Sequence, residues 1–367
     1  MKPQLSPLSC VYSPNLPELL NYIGCTLIIS TYQAGKIIFI SAIDTHNLIQ
    51  LSFGFHRPMG VAATGDLLAV ATRDTVEVLA DSPELSSADF KRFGMHDRLY
   101  VPQKTYFSGE VNMHDIAWGD DGLWGVNTLF SCLVLANETL SFEPKWFPAF
   151  ITESVGEDRC HINGLALEAG RPRYVTALGE SNVEKGWRSY KVSGGILIDV
   201  ESNEIVLRNL PMPHSPRIYD DALYFLLSST GELARTTLDT GSFEIIAQLP
   251  GFARGMARYQ NYLFVGLSRL RKSSPTFADL PIAQRSLFSG FVVLDLQSER
   301  VVATFKYEHG CEEIYDIQII PAVYRPGILE KEKEMEHPNR LEACQKYPFL
   351  NAQIGTCGLS PKISPDH

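Results

Sequence analysis

Short polar turns lead six times into a strongly apolar run of strand length. The junctions are Pro58-Met59-Gly60-Val61-Ala62, His114-Asp115-Ile116-Ala117, Asn163-Gly164-Leu165-Ala166, Ser215-Pro216-Arg217-Ile218, Arg254-Gly255-Met256-Ala257 and Ile314-Tyr315-Asp316-Ile317. Anchored on Gly60, Asp115, Gly164, Pro216, Gly255 and Asp316, they lie 55, 49, 52, 39 and 61 residues apart, the length of one four-stranded blade per repeat. A second apolar strand follows most junctions, as in Leu67–Ala71, Leu223–Leu227 and Tyr262–Gly266. Third strands such as Gly195–Val200 and Val292–Leu296 run into Glu-Ser-Asn and Gln-Ser-Glu turns.

At the N-terminus, Thr26–Thr31 and Lys36–Ile40 read as the second and third strands of a blade that lacks its first. Tyr315–Ile320 supplies the missing strand, which closes the ring and leaves few unpaired edges. The predicted fold is therefore all-β, a six-bladed β-propeller closed by pairing of N- and C-terminal strands. Residues 1–24 form an N-terminal extension, 25–327 the propeller, and 328–367 a short helix and tail, the last read from the charged 330–336 run. Long connections at 81–110, 138–159 and 268–289 are candidates for functional loops, and the last, with its arginines, for a lid.

A net charge of −10 argues against nucleic acid or an anionic membrane surface as partner, since both require clustered Lys and Arg. No apolar run approaches the roughly 20 residues of a membrane-spanning helix, and the first 15 residues do not resemble a signal peptide, so a cytoplasmic location is expected. The seven cysteines show neither Cys-x-x-Cys pairs nor a disulfide rhythm and read as reduced.

Between residues 25 and 325 the chain resembles a group of bacterial conserved hypothetical proteins. The likeness is carried by Ser30-Thr31-Tyr32-Gln33-Ala34-Gly35-Lys36, His161-Ile162-Asn163-Gly164-Leu165-Ala166, Gly186-Trp187-Arg188, Met212-Pro213-His214-Ser215-Pro216-Arg217, Leu249-Pro250-Gly251-Phe252-Ala253-Arg254-Gly255 and Glu313-Ile314-Tyr315-Asp316. The resemblance implies a propeller-like fold and no assigned activity. Where many of those proteins carry Cys-Gly before the strand matching Phe291-Val292-Val293, this chain has Ser289-Gly290.

Three junctions carry a histidine, and in a ring His114, His161 and His214 converge on one axis. Three imidazoles with an open fourth position would make a catalytic metal site, for zinc first and for iron or manganese as alternatives. Asp115 and Asp316 are candidate bases, Tyr315 a candidate proton donor, and Arg57, Arg217 and Arg254 candidate partners for a carboxylate or phosphate. This inventory fits a metal-dependent lyase or hydrolase acting on a small anionic or peptide substrate. The competing reading is a non-catalytic propeller that binds a peptide, glycan or protein on the same face. In that reading the histidines hold turns, and the arginines pair with inner carboxylates. A calcium-supported lactone hydrolase fits less well, because a hard cation does not prefer imidazole. Trp118, Trp124 and Trp187 are expected as blade-packing aromatics.

Overall fold

The computed structural model describes residues 8–87, 96–237, 241–270, 277 and 279–329. Six antiparallel sheets stand around a central axis. From the axis outward, blade 1 comprises Asp316–Pro321, Cys25–Thr31, Lys36–Ala42 and Leu48–Gly54. Blade 2 comprises Val61–Ala63, Leu67–Ala71, Thr75–Asp81 and Arg98–Phe107, and blade 3 comprises Met113–Gly119, Gly122–Asn127, Cys132–Asn137 and Ser141–Trp146. Blade 4 is built from Ile162–Glu168, Arg171–Ala177, Gly195–Asp199 and Ile205–Leu210, and blade 5 from Pro213–Tyr219, Ala222–Leu227, Glu232–Thr236 and Glu244–Gln248. Blade 6 holds Phe252–Tyr259, Tyr262–Ser268, Ser289–Asp295 and Arg300–Tyr307.

The second strand of blade 1 pairs with the C-terminal strand in unbroken register from Cys25 opposite Pro321 to Ser30 opposite Asp316, which is the predicted closure. Two short segments extend the ring outward. Cys10–Tyr12 adds a fifth strand to blade 6, and Pro326–Ile328 pairs in parallel with Arg98–Tyr100 of blade 2. The helix Leu16–Ile23 begins beside Pro17 and ends at Gly24, whose left-handed φ of 66° lets its N–H reach the Leu20 carbonyl. Its buried Leu16, Leu20 and Ile23 fill the outer gap between blades 6 and 1. Residues 330–367, where a helix and tail were expected, lie outside the described residues, as do 271–276 and 278 of the loop considered as a lid. Among the described residues, no helix is long and apolar enough to cross a membrane, and the five described cysteines are unpaired thiols.

The strand runs are apolar on both faces because both faces are buried. In blade 1, Leu27, Ile29, Ile38 and Ile40 meet Phe264, Phe291 and Phe305 of blade 6, while Ile28, Ile37 and Phe39 meet Leu68, Val70 and Tyr100 of blade 2. Separate apolar clusters fill the other four blade interfaces in the same way. Each blade thus presses on two neighbours, and the core is a ring of six wedges with its channel left to other chemistry.

Polar ties near the axis alternate from blade to blade. Asp316, Asp115 and Ser215, on the inner strands of blades 1, 3 and 5, accept a hydrogen bond from the backbone N–H of Val61, Leu165 and Gly255, respectively, at 2.9–3.0 Å. On the second strands of those blades or just beyond, the Ser30, Thr128 and Ser228 hydroxyls each donate at 2.6 Å to the Met59, Ile162 and Ala253 carbonyls. Blades 2, 4 and 6 answer with Gly60, Gly164 and Gly255. A Cβ on Gly60 or Gly255 would stand 2.9 or 2.7 Å from the Cα of Asp115 or Asp316, and one on Gly164 would stand 2.4 Å from Pro216 Cδ. The glycine turns therefore mark where neighbouring backbones nearly touch.

Candidate functional site

The same alternation places the functional side chains. His114, His214 and Tyr315 each precede the residue that ties blade 3, 5 or 1 to its neighbour, and Met59, Asn163 and Arg254 each precede a close-contact glycine. His161 belongs to a different layer. It lies two residues before Asn163, at a left-handed turn (φ 53°) that recurs as Arg57, Asn112 and Met212 before Met59, His114 and His214. Non-glycine residues held at positive φ carry strain that surrounding structure must overcome, and such residues cluster at ligand sites.

Each imidazole has its Nδ1 anchored. His114 Nδ1 lies 2.8 Å from the Asn112 carbonyl and 2.7 Å from Thr128 Oγ1, whose own proton goes to Ile162 O. A carbonyl only accepts, so His114 carries its proton on Nδ1 and keeps the Nε2 lone pair free. His214 repeats this arrangement, with Nδ1 2.9 Å from Met212 O and 2.8 Å from Ser228 Oγ, while Ser228 donates to Ala253 O. His161 Nδ1–H donates to the Asp158 carboxylate at 2.9 Å, and Asp158 also accepts from Trp187 Nε1 at 3.0 Å. Burial, then the neighbouring His161 and Arg254, hold His114 well below the ordinary imidazole range, and burial with Arg254 does the same for His214. Both rings therefore act as neutral acceptors.

Arg254 is held on three sides. Its Nη2 donates to His214 Nε2 at 3.1 Å, its guanidinium lies 4.4 Å above the Tyr315 ring, and Glu313 is 3.9 Å away. Burial keeps the Tyr315 phenol protonated far above neutral pH, although Arg254 pulls the other way. The His114 and His161 rings are 4.9 Å apart edge to face, and Trp187 is 4.3 Å from His161. Together these groups line an open cavity of about 290 Å³ at the end of the channel where the inner strands begin. Phe252, Phe277, Leu270 and Met212 make part of its wall apolar. Three arginines, Arg188, Arg254 and Arg269, face it against two carboxylates, Asp158 and Glu313, in a chain that is acidic overall.

The remaining predicted residues fall elsewhere. Asp115, Arg217 and Asp316 form a buried cluster deeper in the channel. Arg217 makes two hydrogen bonds to Asp115, at 2.9 and 3.1 Å, and lies 3.9 Å from Asp316. That is a structural pairing of an arginine with inner carboxylates, so Arg217 is not offered to a ligand. Arg57 stacks over Tyr32 at 5.7 Å and is not part of the cavity wall. The three histidines share the cavity, but among the described residues no three His, Cys, Asp or Glu side chains are grouped so as to hold a metal ion. The physical obstacle is Arg254, whose N–H occupies the His214 lone pair and whose charge repels a cation.

Trp187 packs in a buried cluster with Leu178, Met212 and Phe252, as expected of a packing aromatic, and also walls the site from the 3₁₀ turn Gly186–Tyr190, where no strand periodicity marks it. Asp158 was not singled out from the sequence. Its only signal is its place three residues before His161, and that becomes meaningful only once Asp158 is seen at φ 51°.

A chain in the crystal structure of a nidogen/laminin complex is similar to this one, with a TM-score of 0.54 and 11% identity over 82% of this chain and 99% of that one. At that identity the likeness shows the propeller fold alone. No curated protein matches the sequence significantly. The model of a domain of unknown function, DUF4915, matches residues 14–329, nearly the whole described ring, and the chain belongs to that family.

Proposed function

We propose that this propeller binds a small anionic molecule at the mouth of its channel, with Arg254 as the charged anchor, the neutral His114 ring as an acceptor and His161 beside it. The observation that carries the reading is the fixing of Arg254 by His214 and Tyr315 next to imidazoles whose Nε2 atoms are left free. A cavity of about 290 Å³ is at the small end of ligand sites, which favours a metabolite-sized molecule over a peptide or protein. The chemistry this set can do is proton abstraction beside a bound anion, the step of a lyase. A free imidazole Nε2 would take the proton, Arg254 would stabilise the charge that develops, and Tyr315 would protonate the leaving group. A non-catalytic binding protein would use the same contacts without the proton transfer.

A metal-dependent lyase or hydrolase is the second reading, favoured by one specific observation. All three rings have Nδ1 anchored by a carbonyl or carboxylate, as metal-bound histidines do. It requires Arg254 to leave His214.

Calorimetric titration with succinate, tartrate and inorganic phosphate separates these readings. Binding that Arg254→Gln weakens by roughly tenfold or more supports the anion site, as expected for losing a charge-assisted hydrogen bond. Binding that is absent, or unchanged in Arg254→Gln, overturns it. Stoichiometric zinc uptake lost in His114→Ala and His161→Ala moves the assignment to the metal enzyme.

A further inference from the structure

Beneath the cavity floor the channel narrows to a second well of about 10 Å³, bounded by His114, Asp115, Asn163, His214, Arg254 and Asp316 among others. This is room for a single water-sized atom. Two buried donors of residues on its wall, Asn163 Nδ2 and Arg254 Nε, have no acceptor among the described residues. The Asn163 side chain belongs to a residue only 4% exposed, and Thr176 donates to its Oδ1 at 2.7 Å, which fixes the amide with its NH₂ unmatched. The carboxylates nearby are already engaged, Asp115 by Arg217 and the Leu165 N–H, and Asp316 by the Val61 and Ile317 N–H groups. A fold seldom leaves two buried donors facing one polar hole without an acceptor that arrives from outside.

Building on the anion site proposed above, we infer that the ligand is a small hydroxylated carboxylic acid. One carboxylate oxygen seats in the well and accepts from Asn163 Nδ2 and Arg254 Nε. The two imidazoles above then face the adjoining carbons. His114 offers an Nε2 lone pair and no proton on that atom, so it accepts from a hydroxyl and repels a second carboxylate. His214 takes no part, since Arg254 already uses its Nε2. The rings of Trp187 and Phe252 provide apolar contact for the carbon skeleton. Neither a plain carboxylate nor a neutral polyol satisfies both levels of the site.

The test is calorimetry on the full chain with matched probes: tartrate against succinate, and gluconate and glucuronate against glucose. At least one hydroxy acid is expected to bind roughly tenfold or more tightly than its matched partner, the effect of one or two added hydrogen bonds. Asn163→Asp keeps the acceptor for Thr176 while replacing the donor with a carboxylate, and should weaken that acid by roughly thirtyfold or more. Circular dichroism checks that the variant folds. If it does not, Asn163→Ala carries the test, with an expected loss of roughly fivefold or more. Hydroxy acids binding no better than their partners overturn the inference. So does a folded Asn163 variant with wild-type affinity, which would mean that a resident water fills the well. Anion binding lost in Arg254→Gln but intact in the Asn163 variant removes only this assignment, whereas no anion binding at all removes the underlying site as well.

Discussion

Replacing Arg217 by methionine should be among the most damaging single changes available in the channel. Methionine keeps much of the side-chain bulk, so the substitution removes charge and hydrogen bonds more than packing. The Arg217 side chain is 16% exposed, and those of Asp115 and Asp316 are 6% and 5% exposed. Losing the guanidinium abolishes a two-pronged pairing with Asp115 and a bond to the Leu165 carbonyl, and leaves two carboxyl groups facing each other. Removing one partner of a buried ion pair costs about 3–5 kcal/mol. With an unfolding entropy of about 2.1 cal/mol/K per residue over a ring of roughly 300 residues, each kcal/mol is about 1.6 °C, so the melting temperature should fall by roughly 5–8 °C.

The loss should also depend on pH. Burial already pushes the Asp316 carboxyl up to about 7, with Arg217 pulling it down and Asp115 pushing it up. Without Arg217 it rises further. A carboxyl whose folded value lies above its unfolded value of about 3.9 stabilises the fold fully below that value and loses its contribution as pH climbs through the folded value. The deficit of the variant is therefore expected to be larger at pH 8 than at pH 5, by up to about 1.4 kcal/mol per pH unit for each proton involved. Urea unfolding at the two pH values measures it. A deficit under about 1 kcal/mol at pH 8, or one equal at both pH values, would refute the argument that this cluster is an ion pair the fold depends on.

Three further outcomes test the alternating ties around the axis and the histidine they hold. Thr128→Val leaves the Ile162 carbonyl without its donor and removes one of the two acceptors of His114 Nδ1, so stability should drop by about 1–3 kcal/mol in chemical denaturation; nitrogen NMR of the wild-type protein should show His114 Nε2 as the unprotonated ring atom, and an Nε2–H signal would contradict the tautomer assignment. Gly255→Ala should cost roughly 2–4 kcal/mol, combining a Cβ 2.7 Å from the Asp316 Cα with a backbone φ of 77°, and an unfolding midpoint matching wild type would show that the two strands can part cheaply.

The ring was legible because its innermost strands carry both of its signals, glycine or polar turns where backbones meet and unbroken apolar runs where two faces are buried. Outer strands such as Glu244–Gln248 bury little and left weaker marks. The register of the site was harder to read. Aligning blade 5 on Pro216 put His214 one residue out of step with His114, because the strand is irregular between His214 and Arg217 and the residue equivalent to Asp115 is Ser215, at φ 50°. His161 looked like a member of the same set, yet it occupies the turn layer that Arg57 occupies in blade 2. Sequence spacing already sets His161 three residues before its anchor and His114 one before, so the three side chains need not point the same way, but it does not show which imidazoles share a layer. Nor can spacing show that an arginine will engage one of the three imidazoles, since Arg254 meets His214 only across a blade interface.

The clasp in blade 1 also constrains how the molecule is made. The Asp316 backbone N–H donates to Ser30 Oγ across 286 positions of chain, so the strand Cys25–Thr31 emerges from the ribosome long before its inner partner exists. Until then it is a strand with an apolar Leu27-Ile28-Ile29 centre and an open flank, the kind of surface that captures other extended segments. Assembly of this ring is thus expected to be slow and vulnerable at one seam, with an early strand of the ring waiting on a late one.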